Sequence, residues 1–406
     1  MKKGNRWVQL AVGTGMLMFS GFIYGWSLFK NPLNELFPQW TLSQLSLTFT
    51  ISMIFAGVGG FCAGNLSKKH SPRYILMLSA LMLLVGFQIL ALSNPDEPQK
   101  SLLILYACYG VIASTGVGFS YNNVISTVSK WFPDKLGFAY GVMMMGFGLG
   151  ALFLGGIAIS LIDKLGVLKA FRVLGIMLFL VMALGSLILT TPEKGKEDKG
   201  NLQDVKGMTT KEMISSSSFW AFILWAIISN TAIFMVVNSA ASIAMAFGAT
   251  AIVGMVVSVF NGIGRVSVGT LYDKLGRRKT MLINTTVLFL GGIALIVGAK
   301  QSEKTFILMG LICVGFAFGG NPPISSSYIR HQYGEKCFPV NFSIGNFSTI
   351  PSSIAGPMLS SMLITNSGGK YESTFISIII CAAVSLVLLK VIETICKKSD
   401  AENLGI

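Results

Sequence analysis

From Phe219 to Gly264 the chain runs for 46 residues without a single Asp, Glu, Lys, Arg or His. As a helix that run would be roughly 69 Å long, more than twice the roughly 30 Å hydrocarbon core of a bilayer. It therefore reads as two crossings, with a turn between Asn238 and Thr250. The first charge to follow is Arg265, eight residues before the charged cluster that opens at Asp273. At about 1.5 Å of rise per residue its Cα lies roughly 12 Å inside the membrane edge. An Arg at that depth is costly unless it faces a watery cavity and finds a negative partner, so it marks a substrate or ion site by default. The plainer alternative is a structural Arg bonded to carbonyls of broken helices.

The rest of the chain fits a membrane setting. Hydrophobic residues make up 52%, charged residues only 12%, and mean hydropathy is +0.68, which places the chain among polytopic membrane proteins. Twelve apolar segments of about 20 residues can be read between charged or Pro/Gly/Asn-rich breaks. The expected architecture is thus an all-α membrane protein of twelve transmembrane helices in two six-helix bundles. Residues 1–190 form the first bundle, 191–218 a polar cytoplasmic linker, and 219–406 the second bundle with a short tail. Span 10 contains Gly319-Gly-Asn-Pro-Pro323 and should bend or break there; span 11 contains Pro351 and Pro357. The N-terminus imitates a signal peptide but lacks a small-residue cleavage site, and it reads as a first span with a cytoplasmic start.

Charge placement supports one orientation. On this topology 21 of the 31 Lys and Arg fall on the inward side and eight on the outward side, as the positive-inside rule requires when both termini are cytoplasmic. The +14 net charge therefore belongs to membrane topology and not to nucleic-acid binding. The six Cys are scattered, mostly within apolar spans, with no C-x-x-C and no nearby His, so no metal site or other cofactor is expected. His70 and His331 are placed in loops, and with no nucleophile and base at membrane depth an intramembrane hydrolase is disfavoured. A non-transporting membrane receptor would not need Arg265. All seventeen acidic residues lie in loops or near span ends, so a proton relay on an intramembrane carboxylate is not expected. Protons remain a candidate coupling ion only through the substrate's own carboxylate or a residue outside the core.

Two stretches repeat one spacing. Gly64-x-x-x-Lys68-Lys-x-Ser71-Pro-Arg73 and Gly269-x-x-x-Asp273-Lys-x-Gly276-Arg277-Arg278 each follow the second span of their half, and internal duplication follows. Two six-span halves with this loop resemble the major facilitator superfamily. The second copy matches the family's loop in full, while the first has Lys68 where the acid belongs and Ser71 where the glycine belongs. Gly21-x-x-Tyr24-x-Trp26-Ser27, Lys130-Trp-Phe-Pro-Asp-Lys135-x-Gly137 and Asn261-Gly-x-x-Arg265 narrow the resemblance to the oxalate/formate antiporter family, a branch close to the monocarboxylate transporters. That resemblance implies that Arg265 holds a substrate carboxylate. It also implies that Thr349 stands where oxalate-handling members carry a second basic residue, and that Pro322 and Asn346 replace cage aromatics.

The residues themselves allow the same chemistry. A guanidinium is a planar fork for one carboxylate. Asn261, four residues earlier and on the same helix face, can donate to the substrate or orient the Arg. Tyr24, Tyr121, Asn122, Asn321, Tyr328 and Asn346 are polar residues deep in spans that could face a central cavity; a Tyr near a span end is as often an interface anchor, and a buried Asn as often helix glue. The expectation is a monomeric secondary transporter in the cytoplasmic membrane that carries a small organic acid anion such as lactate, pyruvate, formate or acetate. Exchange of a dicarboxylate such as oxalate is the rival.

Overall fold

The structure is a computed structural model that describes residues 5–192, 207–237, 239–249 and 256–404. Its described elements are helical apart from one isolated bridge between Gly207 and Gly334. In order they are α1 (Arg6–Ser20), a 3₁₀ segment (Gly21–Trp26), α2 (Ser27–Leu36), α3 (Leu42–Leu66), α4 (Pro72–Leu90), α5 (Pro98–Ile104), a π-helical segment (Leu105–Ala113), α6 (Ser114–Val128), α7 (Leu136–Leu165) and α8 (Val167–Ile188). There follow α9 (Thr210–Ser215), α10 (Ser217–Val237), α11 (Ala240–Ala246), α12 (Val256–Gln301), α13 (Lys304–Tyr333), α14 (Phe338–Asn346), α15 (Thr349–Asn366) and α16 (Glu372–Leu404).

Among the described residues nine helices are long and apolar enough to cross a bilayer, and a pair bent by 42°, Arg6–Ile23 with Leu28–Leu36, makes a tenth. Two expected spans share α12, which is 46 residues long. Its limbs meet at Gly276, whose φ of 74° lies in the left-handed region that a residue with a Cβ enters only at a cost. Outward-facing apolar side chains such as Leu103, Leu152, Leu184 and Met358 are well exposed. In water such a surface would aggregate; in lipid it is the solvated face.

The elements follow the expected order of spans, with four local differences. Span 1 is interrupted by the 3₁₀ segment, where Gly21 lets the chain pass against the backbone of Phe147. Span 4 carries the π-helical segment, and Ser114 Oγ donates to the Tyr109 carbonyl five residues back at 2.8 Å. Span 10 does not break: α13 runs through Pro322 and Pro323, although neither can donate to the carbonyl four residues back, Phe318 or Gly319. Asn284 Nδ2 donates to Ala317 O at 3.2 Å, and Ser326 Oγ bonds the carbonyls of Pro322 and Pro323. Span 11 breaks instead, between α14 and α15, since Pro351 cannot donate to the Phe347 carbonyl.

The turn after span 7 comes at Phe247–Gly248 after the short helix α11, inside the expected window. Part of the linker is ordered: Thr209 and Glu212 form a reciprocal capping box that starts α9, and Met213 beneath it is fully buried. The linker residues 193–206 lie outside the described residues. His331 sits in the last turn of α13 and not in a loop.

The chain packs as two compact units. One comprises residues 1–133, 142–205 and 338–344, and the other 134–141, 206–337 and 345–406. Compared with a division at the linker, the start of α7 belongs with the second unit and most of α14 with the first. In the first unit α3 packs on α6 and α4 on α8, around the aromatic side chains of Trp26, Phe29, Phe87, Tyr109 and Phe171. In the second, α12 packs along α13 and α16. Its core includes Ile233, Leu288, Leu295, Leu311, Phe375 and Ile378.

Candidate functional site

Arg265 lies in the first limb of α12 and is only 6% exposed. Three glycines set its position. Gly264 faces the Phe316 carbonyl, Gly319 of α13 faces the Asn261 carbonyl, and Gly141 at the start of α7 faces the Arg265 carbonyl; a Cβ at any of them would collide with backbone. The limb is thus gripped on two sides at main-chain distance, as small residues permit in membrane helix packing. Asn261 Oδ1 accepts from Arg265 Nε at 2.9 Å, the contact expected of a residue that orients the guanidinium.

The loop motif follows on the same limb. Asp273 accepts from the backbone N–H of Gly137 at 2.7 Å and of Phe138 at 2.8 Å, so its carboxylate caps the N-terminus of α7, where helix and anion attract. Gly269 and Gly137 face each other without side chains between. Gly276 makes the turn, Arg277 donates to Gln332 and lies 5.8 Å from the Tyr328 ring centre, and Arg278 pairs with Glu393 at 2.8 Å. Gln332 and Glu393 give no sequence signal for these roles, because the contacts join segments far apart in the chain.

The other candidates are placed in four groups. Tyr328 is fully buried, stacks on Phe222 at 4.0 Å, and donates to Ser218 O at 3.1 Å. It therefore belongs to the Arg277 end of α12, twelve residues along from Arg265. Asn321 holds a buried network: its Nδ2 donates to Asn230 Oδ1 at 2.8 Å and Ser229 Oγ at 3.1 Å, and its Oδ1 accepts from Asn284 at 2.9 Å. That arrangement joins α10, α12 and α13 as helix glue. Asn284 was not anticipated; its Oδ1 is buried against Gly320 with no partner among the described residues, at a cost of about 1–3 kcal/mol. Asn346 and Thr349 flank the break in span 11, Thr349 Oγ1 donating to Asn346 O at 2.7 Å. In the first unit, Tyr121 contacts Phe147 and Phe342, and Asn122 bonds Pro339 and Ser343. The backbone of Tyr24 is in the 3₁₀ segment; its side chain lies outside the described residues.

A small cleft in the first unit, lined by Phe19, Ser20, Phe22, Phe87, Tyr109 and Ser114 among others, contains no charged residue. It offers nothing to pair with a carboxylate. Among the described residues no cluster of His, Cys, Asp and Glu could hold a metal ion.

A bundle of long apolar helices with a gripped, buried Arg and a duplicated loop defines a multi-pass membrane transporter. The chain belongs to the Major Facilitator Superfamily, whose sequence model matches residues 8–349. It is 29% identical over 376 residues to the oxalate:formate antiporter of Oxalobacter formigenes, covering 90% of this chain and 86% of that protein. A partial match reaches monocarboxylate transporter 12 of Homo sapiens, 24% identical over 184 residues, 43% of this chain and 33% of the other. Among solved structures, the proton:xylose symporter XylE superposes with a TM-score of 0.69 at 14% identity, over 95% of this chain and 94% of that one, which shows the fold. The family and these relatives are transporters and not enzymes.

Proposed function

We propose that this chain is a secondary transporter of small monocarboxylates, working by alternating access of two six-span halves divided at the linker, as a monomer in the cytoplasmic membrane with both termini inside. One observation supports the reading: Arg265 is buried in an otherwise uncharged span and gives its Nε proton to Asn261, and a guanidinium held in this way suits a carboxylate. One guanidinium matches one carboxylate. A dianion would bring a second charge into a low-dielectric site, where an uncompensated ion is penalised by several kcal/mol, and Thr349 supplies a hydroxyl and not a cation. The rival reading, oxalate/formate-type exchange, is favoured by the 29% identical antiporter. Uptake of labelled lactate, pyruvate, formate and acetate into proteoliposomes, each competed with oxalate at neutral pH, separates the two. Monocarboxylates are expected to win; oxalate winning in the wild type would refute the charge-matching argument.

A further inference from the structure

The two copies of the loop motif meet their neighbouring helix starts with different chemistry. In the second copy the Asp273 carboxylate caps the start of α7. In the first, Lys68 occupies the acid's position, and its Nζ turns to Asn65 Oδ1, 3.3 Å away on its own side of the loop. The helix start packed on that copy is α14, for Gly64 leaves room for the Pro339 carbonyl and Gly60 lies beside Ser343. Asn122 of α6 holds α14 there. It is 2% exposed, and its Nδ2 donates to Pro339 O at 2.7 Å and to Ser343 Oγ.

We propose that Asn122 is a neutral latch on the start of α14, filling at the first loop the place that Asp273 fills at the second, and that it serves gating and not substrate binding. Two features suit a contact that must be made and broken. Its amide makes two bonds, yet its Oδ1 is buried with no partner among the described residues, so hydrogen bonding and desolvation oppose each other within one side chain. The Pro339 carbonyl also accepts from Ser343 Oγ at 3.0 Å and keeps a partner when Asn122 leaves. Span 11 passes from one packing unit to the other just after residue 344, so this latch acts on one of the stretches at which the chain crosses between them. Being uncharged, it is insensitive to salt, unlike a contact between ions.

The test needs no substrate. With the six native cysteines replaced, Val340→Cys, at a position 2% exposed, should react slowly with an impermeant thiol reagent applied to either face of reconstituted vesicles. Adding Asn122→Asp removes both donors and sets a carboxylate against the Pro339 carbonyl. Labelling from one face should then rise about tenfold or more, and fall again as acidification returns a proton to the carboxylate. Lys68→Ala added instead should leave the rate unchanged. A residue that only touched substrate could not alter labelling of the empty protein, so an unchanged rate in folded, monodisperse Asn122→Asp would overturn the proposal. A faster rate in Lys68→Ala would also overturn it, by giving the hold to the loop. Should Asn122→Asp not fold, Asn122→Ser, which keeps one donor, must label at an intermediate rate; a wild-type rate there carries the same refutation.

Discussion

Asn261 and Arg265 stand one helical turn apart, and that spacing decides which edge of the guanidinium an anion can take. With the Nε proton given to Asn261, the proposed carboxylate would be met by the paired Nη groups, whose two parallel donors a point charge cannot imitate. Arg265→Ala should lose about 2–5 kcal/mol of substrate binding, and Arg265→Lys should recover little of it, as read by equilibrium binding of whichever acid wins the uptake competition. A folded Ala variant that transports at the wild-type rate would make Arg265 structural. Thr349→Lys places a cation beside the break in span 11; oxalate binding is expected to appear in that variant alone. Arg265 was legible in the sequence because a lone charge inside an apolar run has few physical explanations. Asn261 was legible as a neighbour but not in its role, since i and i+4 spacing fixes the face and not which atom donates. The partners of Tyr328 were not legible for a related reason: its depth in a span can be counted, but Phe222 and Ser218 come from α10 and Arg277 from α12.

At the scale of elements, the loop of the second half carries two separable demands. Gly276 needs a positive φ with extended ψ, and Gly276→Ala should cost about 1–3 kcal/mol, seen as a lower melting temperature in detergent with transport retained. Gly137 needs the absence of a side chain. Gly137→Ala presses a methyl into the Gly269 carbonyl, and overpacking of that kind costs about 1–3 kcal/mol; here it should also separate Asp273 from the α7 start and lower the transport rate. Equal damage to stability and no loss of transport in Gly137→Ala would deny the contact a part in the cycle. Several element boundaries were readable from known chemistry, including Pro72 at the first turn of α4. The Thr209–Glu212 capping box is equally regular chemistry, but its polar surroundings give it no apolar run to start. The π-helical segment at Leu105–Ala113 has no composition that distinguishes it from ordinary apolar helix. Pro322 and Pro323 misled in the other direction, because α13 is held at main-chain distance against α12 at Phe316 and Gly319, packing that the two prolines do not announce.

For the whole molecule, topology is the first quantity to measure. A single cysteine at Lys206 should be inaccessible to an impermeant reagent on intact cells and accessible in inverted vesicles; labelling on intact cells would reverse the orientation argued from the Lys and Arg distribution. The two-bundle plan was legible because hydropathy, loop charge and the repeated glycine-bounded loop all point to it, whereas the packing units were not. The starts of α7 and α14 change units through main-chain contacts at Gly137, Gly269, Gly64 and Pro339, and a contact made by absent side chains leaves only glycines to read. The Asp273 cap is of the same kind, since both its donors are peptide N–H groups. Such a bond is blind to the letter at position 138: under selection for growth on the transported acid, lineages should drift at Phe138 among residues of similar bulk while 137 and 273 stay fixed. The adhesion between these distant segments can thus be inherited with almost no trace of covariation.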